Sequence, residues 1–251
     1  MGLVFHKTFV DAATGANGFD SVTTTNGTLA HSAGAGLHGT SGGITCTRTA
    51  NSPNVFGVCG HILSGLAACR TAFYCNIAAL TIGTDSQSTL LWSPRTAATA
   101  GAIGSVRAIR VAGVVVLECR KFTDAVGFSS GVNVSFTVPP TWIEVEIVRE
   151  SIDTAANGAL RFYFGGGDWP STGQQVAEFL SVDNYINFNA CTNARLGIGS
   201  GGATVSGSLL VDEWTMRDDD TPIIYGVSDD SAISRGMKYV LNRRRRKSYC
   251  W

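Results

Sequence analysis

Long apolar runs are missing from this chain. No stretch approaches the roughly 18–20 residues that cross a bilayer as a helix, so no span of that kind is expected. Charge is also scarce. Charged residues make up 15% of the sequence, below the roughly 25% of ordinary domains, and Gly, Ser, Thr, Ala and Asn do the solvating instead. Cys46, Cys59, Cys69, Cys75, Cys119, Cys191 and Cys250 include no C-x-x-C pair. Zinc sites draw their ligands from such closely spaced pairs, which argues against a metal site. Buried free thiols are expected, with one disulfide through Cys59, Cys69 or Cys75 as the alternative. The four histidines form no H-x-x-x-H pattern. There is no G-x-S-x-G, no phosphate-binding glycine loop and no dinucleotide fingerprint, so nucleophilic catalysis and nucleotide use have no support. Residues 1–11 lack a basic region followed by an apolar block. The expectation is a chain made in the cytoplasm without a signal peptide.

What is present is a long series of short strands. Hydrophobic residues reach 44%, enough for a core, which excludes general disorder. Apolar runs at 105–111 and 114–120 flank Ala112-Gly113, the pattern of a tight hairpin. Residues 142–150 alternate most clearly. Trp142, Glu144, Glu146, Val148 and Glu150 take one face, and Ile143, Val145, Ile147 and Arg149 the other. Further strands are expected over 3–11, 36–48, 67–77, 89–92, 132–138, 159–164, 194–199 and 208–216. The strand at 89–92 should stop at Ser93-Pro94, and Asn157-Gly158 reads as a hairpin turn. About twelve short strands with turns between them predict an all-β, two-sheet antiparallel sandwich.

The order of these segments resembles a known fold family. His31-Ser32 and Gly36-Leu37-His38 come first, then the strand pair at 105–120, then Trp142-Ile143-Glu144-Val145. Gly158-Ala159-Leu160-Arg161-Phe162-Tyr163-Phe164-Gly165, Arg195-Leu196-Gly197-Ile198-Gly199 and Gly207-Ser208-Leu209-Leu210-Val211-Asp212-Glu213 follow. Together they resemble the concanavalin A-like lectin/glucanase jelly roll, in particular the laminin-G-like modules of bacterial and phage proteins. The resemblance spans roughly residues 3–226. It implies two curved antiparallel sheets with a concave face. It says little about function, because this fold hosts lectins, hydrolases and inert structural modules.

Charge divides the chain in two. The last 17 residues hold Arg235, Lys238, Arg243, Arg244, Arg245, Arg246 and Lys247 and no acid. With Lys+Arg at 19 and Asp+Glu at 19, the remaining 12 bases face all 19 acids, which gives −7 for residues 1–234 and +7 for the end. Ser228 followed by Asp229 and Asp230 is a helix start. Ile233, Met237, Val240 and Leu241 then fall on one helical stripe. The expected organisation is a jelly-roll domain over 1–226 and an amphipathic helix with a basic docking tail over 227–251. Arg243, Arg244, Arg245, Arg246 and Lys247 would pair with carboxylates of a partner, and Tyr249 and Trp251 would anchor in apolar pockets. Nucleic acid is the rival partner for such a run, but the acidic body and the lack of interleaved aromatics count against it.

Three constellations could carry chemistry. Glu144, Glu146 and Glu150 approach the E-x-D-x-x-E pattern of hydrolases with this fold, but the middle acid is Glu and the third comes two residues late. A solvent-facing polar strand face is the plainer reading. Asp168 and Trp169, in Gly165-Gly166-Gly167-Asp168-Trp169-Pro170, offer a carboxylate beside an aromatic plate, a candidate glycan site. Asp183, Asp212, Asp218, Asp219 and Asp220 offer oxygens to calcium, though a solvated turn is more economical, and no cofactor is required. The sequence therefore reads as a non-catalytic structural or interaction module of a larger assembly, a phage virion protein such as a capsid decoration or tail- or fibre-associated subunit. Its partners would be copies of itself or acidic virion proteins. The alternative is a carbohydrate-binding module or adhesin on an extracellular surface, and a glycoside hydrolase ranks last.

Overall fold

The structure is a computed structural model that describes residues 3–37, 40–49, 54–96, 103–124, 128–134, 141–166, 174–199, 205–219 and 223. The chain opens with β1 (Leu3–Lys7), β2 (Ser21–Thr25), β3 (Gly27–Ser32), a 3-10 turn at Ala33–Ala35, β4 (Gly43–Arg48), β5 (Asn54–Gly60) and β6 (Ala68–Asn76). It continues through β7 (Leu80–Ile82), β8 (Ser88–Thr96), β9 (Gly104–Val111), β10 (Val114–Phe122) and β11 (Phe128–Val134). It closes with β12 (Thr141–Val148), β13 (Gly158–Gly166), β14 (Gln174–Val182), helix α1 (Tyr185–Asn189), β15 (Cys191–Ile198) and β16 (Val205–Arg217).

The strands form two antiparallel sheets. One has nine strands, in the order β14-β13-β12-β6-β16-β4-β3, with β1 and β7 also paired to β16. The other has seven, in the order β11-β10-β9-β8-β15-β5-β2. This is the expected all-β sandwich. Period-2 alternation sends one side of each strand into a single core between the sheets. Phe73, Ile143, Val145, Ile147 and Phe162 come from the nine-stranded sheet and meet Trp92, Val106, Leu117, Cys119 and Leu196 from the other. Among the described residues no helix is long and apolar enough to cross a membrane.

Several local expectations need correction. β8 runs through Ser93-Pro94 instead of stopping there. Its pairing with β9 ends at Trp92, so beyond that point only β15 is hydrogen-bonded to it, and Pro94 needs no donor on the vacated side. Gly158 lies inside β13, so the turn after β12 spans 149–157 rather than two residues. Of the strand expected at 132–138, residues 132–134 lie in β11, which begins earlier, at Phe128, and 135–138 lie outside the described residues. The Ala112-Gly113 hairpin does form, with φ of 48° and 85° at its two corner residues, the left-handed pair such a turn requires. Cys46, Cys59, Cys69, Cys75, Cys119 and Cys191 are free and buried, and burial pushes Cys46 and Cys75 up to about 12. The helix and basic tail expected over 227–251 lie outside the described residues, as do Arg243, Arg244, Arg245, Arg246, Lys247, Tyr249 and Trp251.

Candidate functional site

The outer face of the nine-stranded sheet carries a buried charge network. Ile143, Val145 and Ile147 of β12 point into the core, so Trp142, Glu144 and Glu146 point out. β6 pairs alongside, with Tyr74 opposite Trp142 and Arg70 opposite Glu146. On the far side β13 sets Arg161 opposite Glu146 and Tyr163 opposite Glu144. Arg70 forks across the acids, with Nη1 at 2.7 Å from Glu144 Oε1 and Nη2 at 2.7 Å from Glu146 Oε2. Glu146 also accepts from the Tyr163 hydroxyl at 2.9 Å and from Arg161 Nη1 at 3.1 Å. Arg161 Nε continues the network to Glu178 on β14 at 2.6 Å. The Arg70 guanidinium lies over the Tyr163 ring, 5.2 Å from its centre.

These carboxylates are not a solvated face. Glu144 is 3% and Glu146 6% exposed. A second apolar cluster, outside the main core, helps to cover them: Leu37, Ala72, Tyr74, Trp142 and Ile223. The backbone N–H of Ile223 donates to Glu144 Oε1 at 3.1 Å. Burial pushes the Glu144 carboxyl up from its ordinary value, against the pull of Arg70 and of the Ile223 N–H. For Arg70, burial acts downward, but Glu144 and Glu146 more than reverse it and leave the guanidinium above its usual range. Glu150 does not join this face. It lies beyond the end of β12, fully buried, and its Oε1 accepts from the Thr154 N–H at 3.1 Å.

Among the described residues, Asp183, Asp212, Asp218 and Asp219 are not brought together. Asp212 is fully buried on β16, where it accepts from the Leu37 N–H at 2.9 Å, the Glu213 N–H at 2.9 Å and the Thr40 hydroxyl. Burial drives its carboxyl up to about 7 despite those bonds. Asp219 is paired in bidentate fashion with Arg217, and Asp220 lies outside the described residues. Asp183 instead meets Asp124 and Asp153, with one carboxylate oxygen of each within 4.8 Å of the others. Desolvation, then Asp124 and Asp153, push the Asp183 carboxyl up. This donor set has the hard-oxygen character that suits calcium, but both Asp124 oxygens already accept backbone N–H groups, from Ile186 at 2.6 Å and Asn187 at 2.8 Å. Asp168 and Trp169 lie outside the described residues, and β13 ends at Gly166.

Sequence reading missed Arg70 and Tyr163 as members of the carboxylate site. Both sit at outward positions of alternating strands, but only the pairing of β6, β12 and β13 shows that they converge on the same acids.

No known family profile and no curated protein sequence matches this chain. Solved structures do resemble it. The globular domain of calreticulin from T. cruzi is 12% identical, with a TM-score of 0.55 over 87% of this chain and 89% of that one. Cellulose induced protein Cip1 is 12% identical, with a TM-score of 0.54 over 88% of this chain and 100% of that one. A weaker likeness is to the CBM2 module of the evolved Dit of Lactobacillus casei BL23 phage J-1, 11% identical with a TM-score of 0.44 over 88% of this chain and 97% of that one. At such identities the likeness concerns the fold alone: a lectin-like jelly-roll sandwich.

Proposed function

We propose that this chain is a non-catalytic interaction module of a larger assembly, a phage virion subunit of the capsid-decoration or tail- and fibre-associated kind. The observation that carries the non-catalytic reading is the Arg70 fork across Glu144 and Glu146. Retaining glycoside hydrolysis needs one carboxyl free to protonate the leaving oxygen and a second free to attack the sugar. Here one guanidinium occupies both, a tyrosine and a second arginine hold Glu146, and the chain at Ile223 bonds to Glu144. Such a clamp stabilises the sheet and does not shuttle protons.

The assembly reading rests on the −7/+7 division of the sequence. A basic tail docking on acidic bodies of neighbouring copies, or on another acidic virion protein, uses that asymmetry. Exposed ion pairs contribute only about 0–1 kcal/mol each, so Tyr249 and Trp251 supply much of the specificity. The enzymatic question is tested with a panel of β-glucans. The expected result is no release of reducing ends. Release that disappears in Glu144→Gln would make the protein a glycosidase.

A second reading, glycan binding, draws on one feature. The register Trp142–Gly165 sets the end of β13 beside an aromatic of the outer face, and Asp168 and Trp169 follow two to three residues later. In this reading Trp169 stacks on a sugar ring and Asp168 accepts its hydroxyls. Trp169→Ala tests it on a glycan array, where unchanged binding places the sugar elsewhere.

A further inference from the structure

The body of the chain is acidic, yet in the seven-stranded sheet bases outnumber acids. Within the seven-stranded sheet the bases are Arg95, Arg107, Arg110, Arg120, Lys121 and Arg195, and the one acid is Glu118. Alternation decides where they point. Trp92, Val106, Ala108, Leu117, Cys119, Ala194 and Leu196 belong to the core, so their neighbours Ser93, Ser105, Arg107, Glu118, Arg120 and Arg195 face away from the other sheet.

Register then assembles a ring. Arg120 is paired with Ser105 and Arg195 with Ser93. The Trp92–Val106 pair brings Ser93 and Ser105 onto adjacent strands one step further along. The row across the four strands is Arg120, Ser105, Ser93, Arg195, with Ser105 and Ser93 just past the last β9–β8 pair. Arg107 lies two residues along β9 on one side of this row, and Arg95 lies two residues along β8 on the other. The two serines form the floor, each 1% exposed, and the four arginines stand half-buried around them.

Each guanidinium is steered by a local contact. Arg95 Nε donates to Ser93 Oγ at 3.1 Å, Arg107 Nε to Ser88 Oγ at 3.0 Å, and Arg120 Nε to Glu118 Oε2 at 2.6 Å. Arg195 lies over the Phe56 ring, 4.5 Å from its centre. Three groups on this face are left unused. The donors Ser105 Oγ and Arg195 Nε and the acceptor Asn193 Oδ1 are buried with no hydrogen-bond partner among the described residues. Buried polar groups are normally satisfied, and an unmade bond is costly. Like charges also crowd here. Burial, then Arg120 and Arg95, pull Arg107 down to about 10, opposed in part by Glu118. Burial and then Arg195 lower Arg95.

We propose that this ring binds a tetrahedral oxyanion, the phosphate or sulfate group of a monoester. Four half-buried guanidiniums clustered about a hydroxyl floor, with Glu118 paired to Arg120 and opposite Arg107, offer enough donors for a group with three or more outward oxygens. A planar carboxylate has two oxygens, and one bidentate arginine satisfies it. Ser105 Oγ supplies the donor from below. A bound dianion relieves the mutual repulsion of the arginines. The site lies on the opposite sheet from the Arg70 network and is independent of what that network does.

The test is calorimetric titration of the full chain with sodium phosphate and with sodium sulfate at constant ionic strength. Saturable binding of one anion per chain is expected. Arg107→Gln and Arg195→Gln should each weaken it about tenfold, the loss of one charge-assisted contact, while Arg161→Gln on the other sheet leaves it unchanged. Ser105→Asp places a carboxylate inside the ring. It should abolish anion binding and raise the melting temperature, a readout that survives if the arginine variants fold poorly. Glucose 6-phosphate and glucose 6-sulfate, compared with glucose, identify which monoester is preferred. The proposal is overturned if neither anion binds at about 10 mM, a ceiling that any pocket of useful affinity clears. It is equally overturned if the arginine variants bind as the native protein does, if glucose binds as well as its esters, or if Ser105→Asp lowers the melting temperature and keeps the anion.

Discussion

Ile223 donates its backbone N–H to Glu144 Oε1 across 79 residues of sequence, at 3.1 Å. The bond fixes the chain after β16 onto the centre of the nine-stranded sheet, with the Ile223 side chain buried in a cluster that includes Tyr74 and Trp142. The Glu144 carboxylate thus anchors Ile223. Ile223→Asp should separate the two, because it places a second acid in an apolar cluster beside Glu144. A loss of about 2–4 kcal/mol in urea unfolding is expected, on the scale of deleting a large buried side chain. A neutral outcome would contradict this anchoring.

Arg70 is the keystone of the same face. Arg70→Ala leaves Glu144 and Glu146 buried without their shared cation and should cost about 3–5 kcal/mol. Arg70→Lys should recover only part of this, because an ammonium cannot fork between two carboxylates. Chemical denaturation of both variants measures it, and equal stability of Lys and Arg at this position counts against the fork.

Asp212 gives the fold a pH dependence. Burial raises its carboxyl from 3.8 to about 7 in the folded protein. The folded state therefore holds the proton more tightly than the unfolded state. The resulting stability is full below the unfolded value and is lost as pH rises toward about 7. As pH rises through that window the native protein should lose stability relative to Asp212→Asn, and the loss should level off above it. Melting curves across the window measure this, and a native protein that gains stability relative to the variant as pH rises contradicts it.

His61 acts in the opposite sense. It lines a small internal cavity with Cys69, Trp92 and Ile147, and burial pulls it from 6.5 down to about 4. Its neutral form stabilises the fold above the unfolded value, and that contribution is lost as pH falls through about 4. His61→Leu should therefore lose less stability on acidification than the native protein does. Parallel acid titrations followed by tryptophan fluorescence make the comparison.

Gly57 has no room for a side chain. A Cβ there would stand 2.0 Å from the ring of Phe19, which is fully buried. Gly57→Ala should cost about 1–3 kcal/mol through overpacking, with partial recovery in the double variant with Phe19→Leu. Additive losses in the double variant would show that the ring is not the obstacle.

The sandwich was legible because alternation and turn chemistry are local. The Ala112-Gly113 corner and the two faces of residues 142–148 follow from neighbouring residues alone. β2, rich in threonine and mostly exposed, and β3, partly exposed, lack an apolar face strong enough to mark them, and β8 passes a proline that usually ends a strand. The carboxylates Glu144 and Glu146 were visible, but their burial was not, because it depends on Arg70 from β6 and on Ile223 from the end of the chain. The arginine ring shows the same limit. Each arginine sits at an ordinary outward position, and only the register of four strands distant in sequence brings them round Ser93 and Ser105.

The central claim is an interaction module joined to its neighbours by residues 227–251. Light scattering of the full chain and of a chain ending at Leu241, at low and high salt, tests it most directly. The full chain should form particles larger than the monomer at low salt and dissociate as salt rises, while the shortened chain stays monomeric with an unchanged melting temperature. Equal particle sizes for the two chains at every salt concentration would contradict the claim.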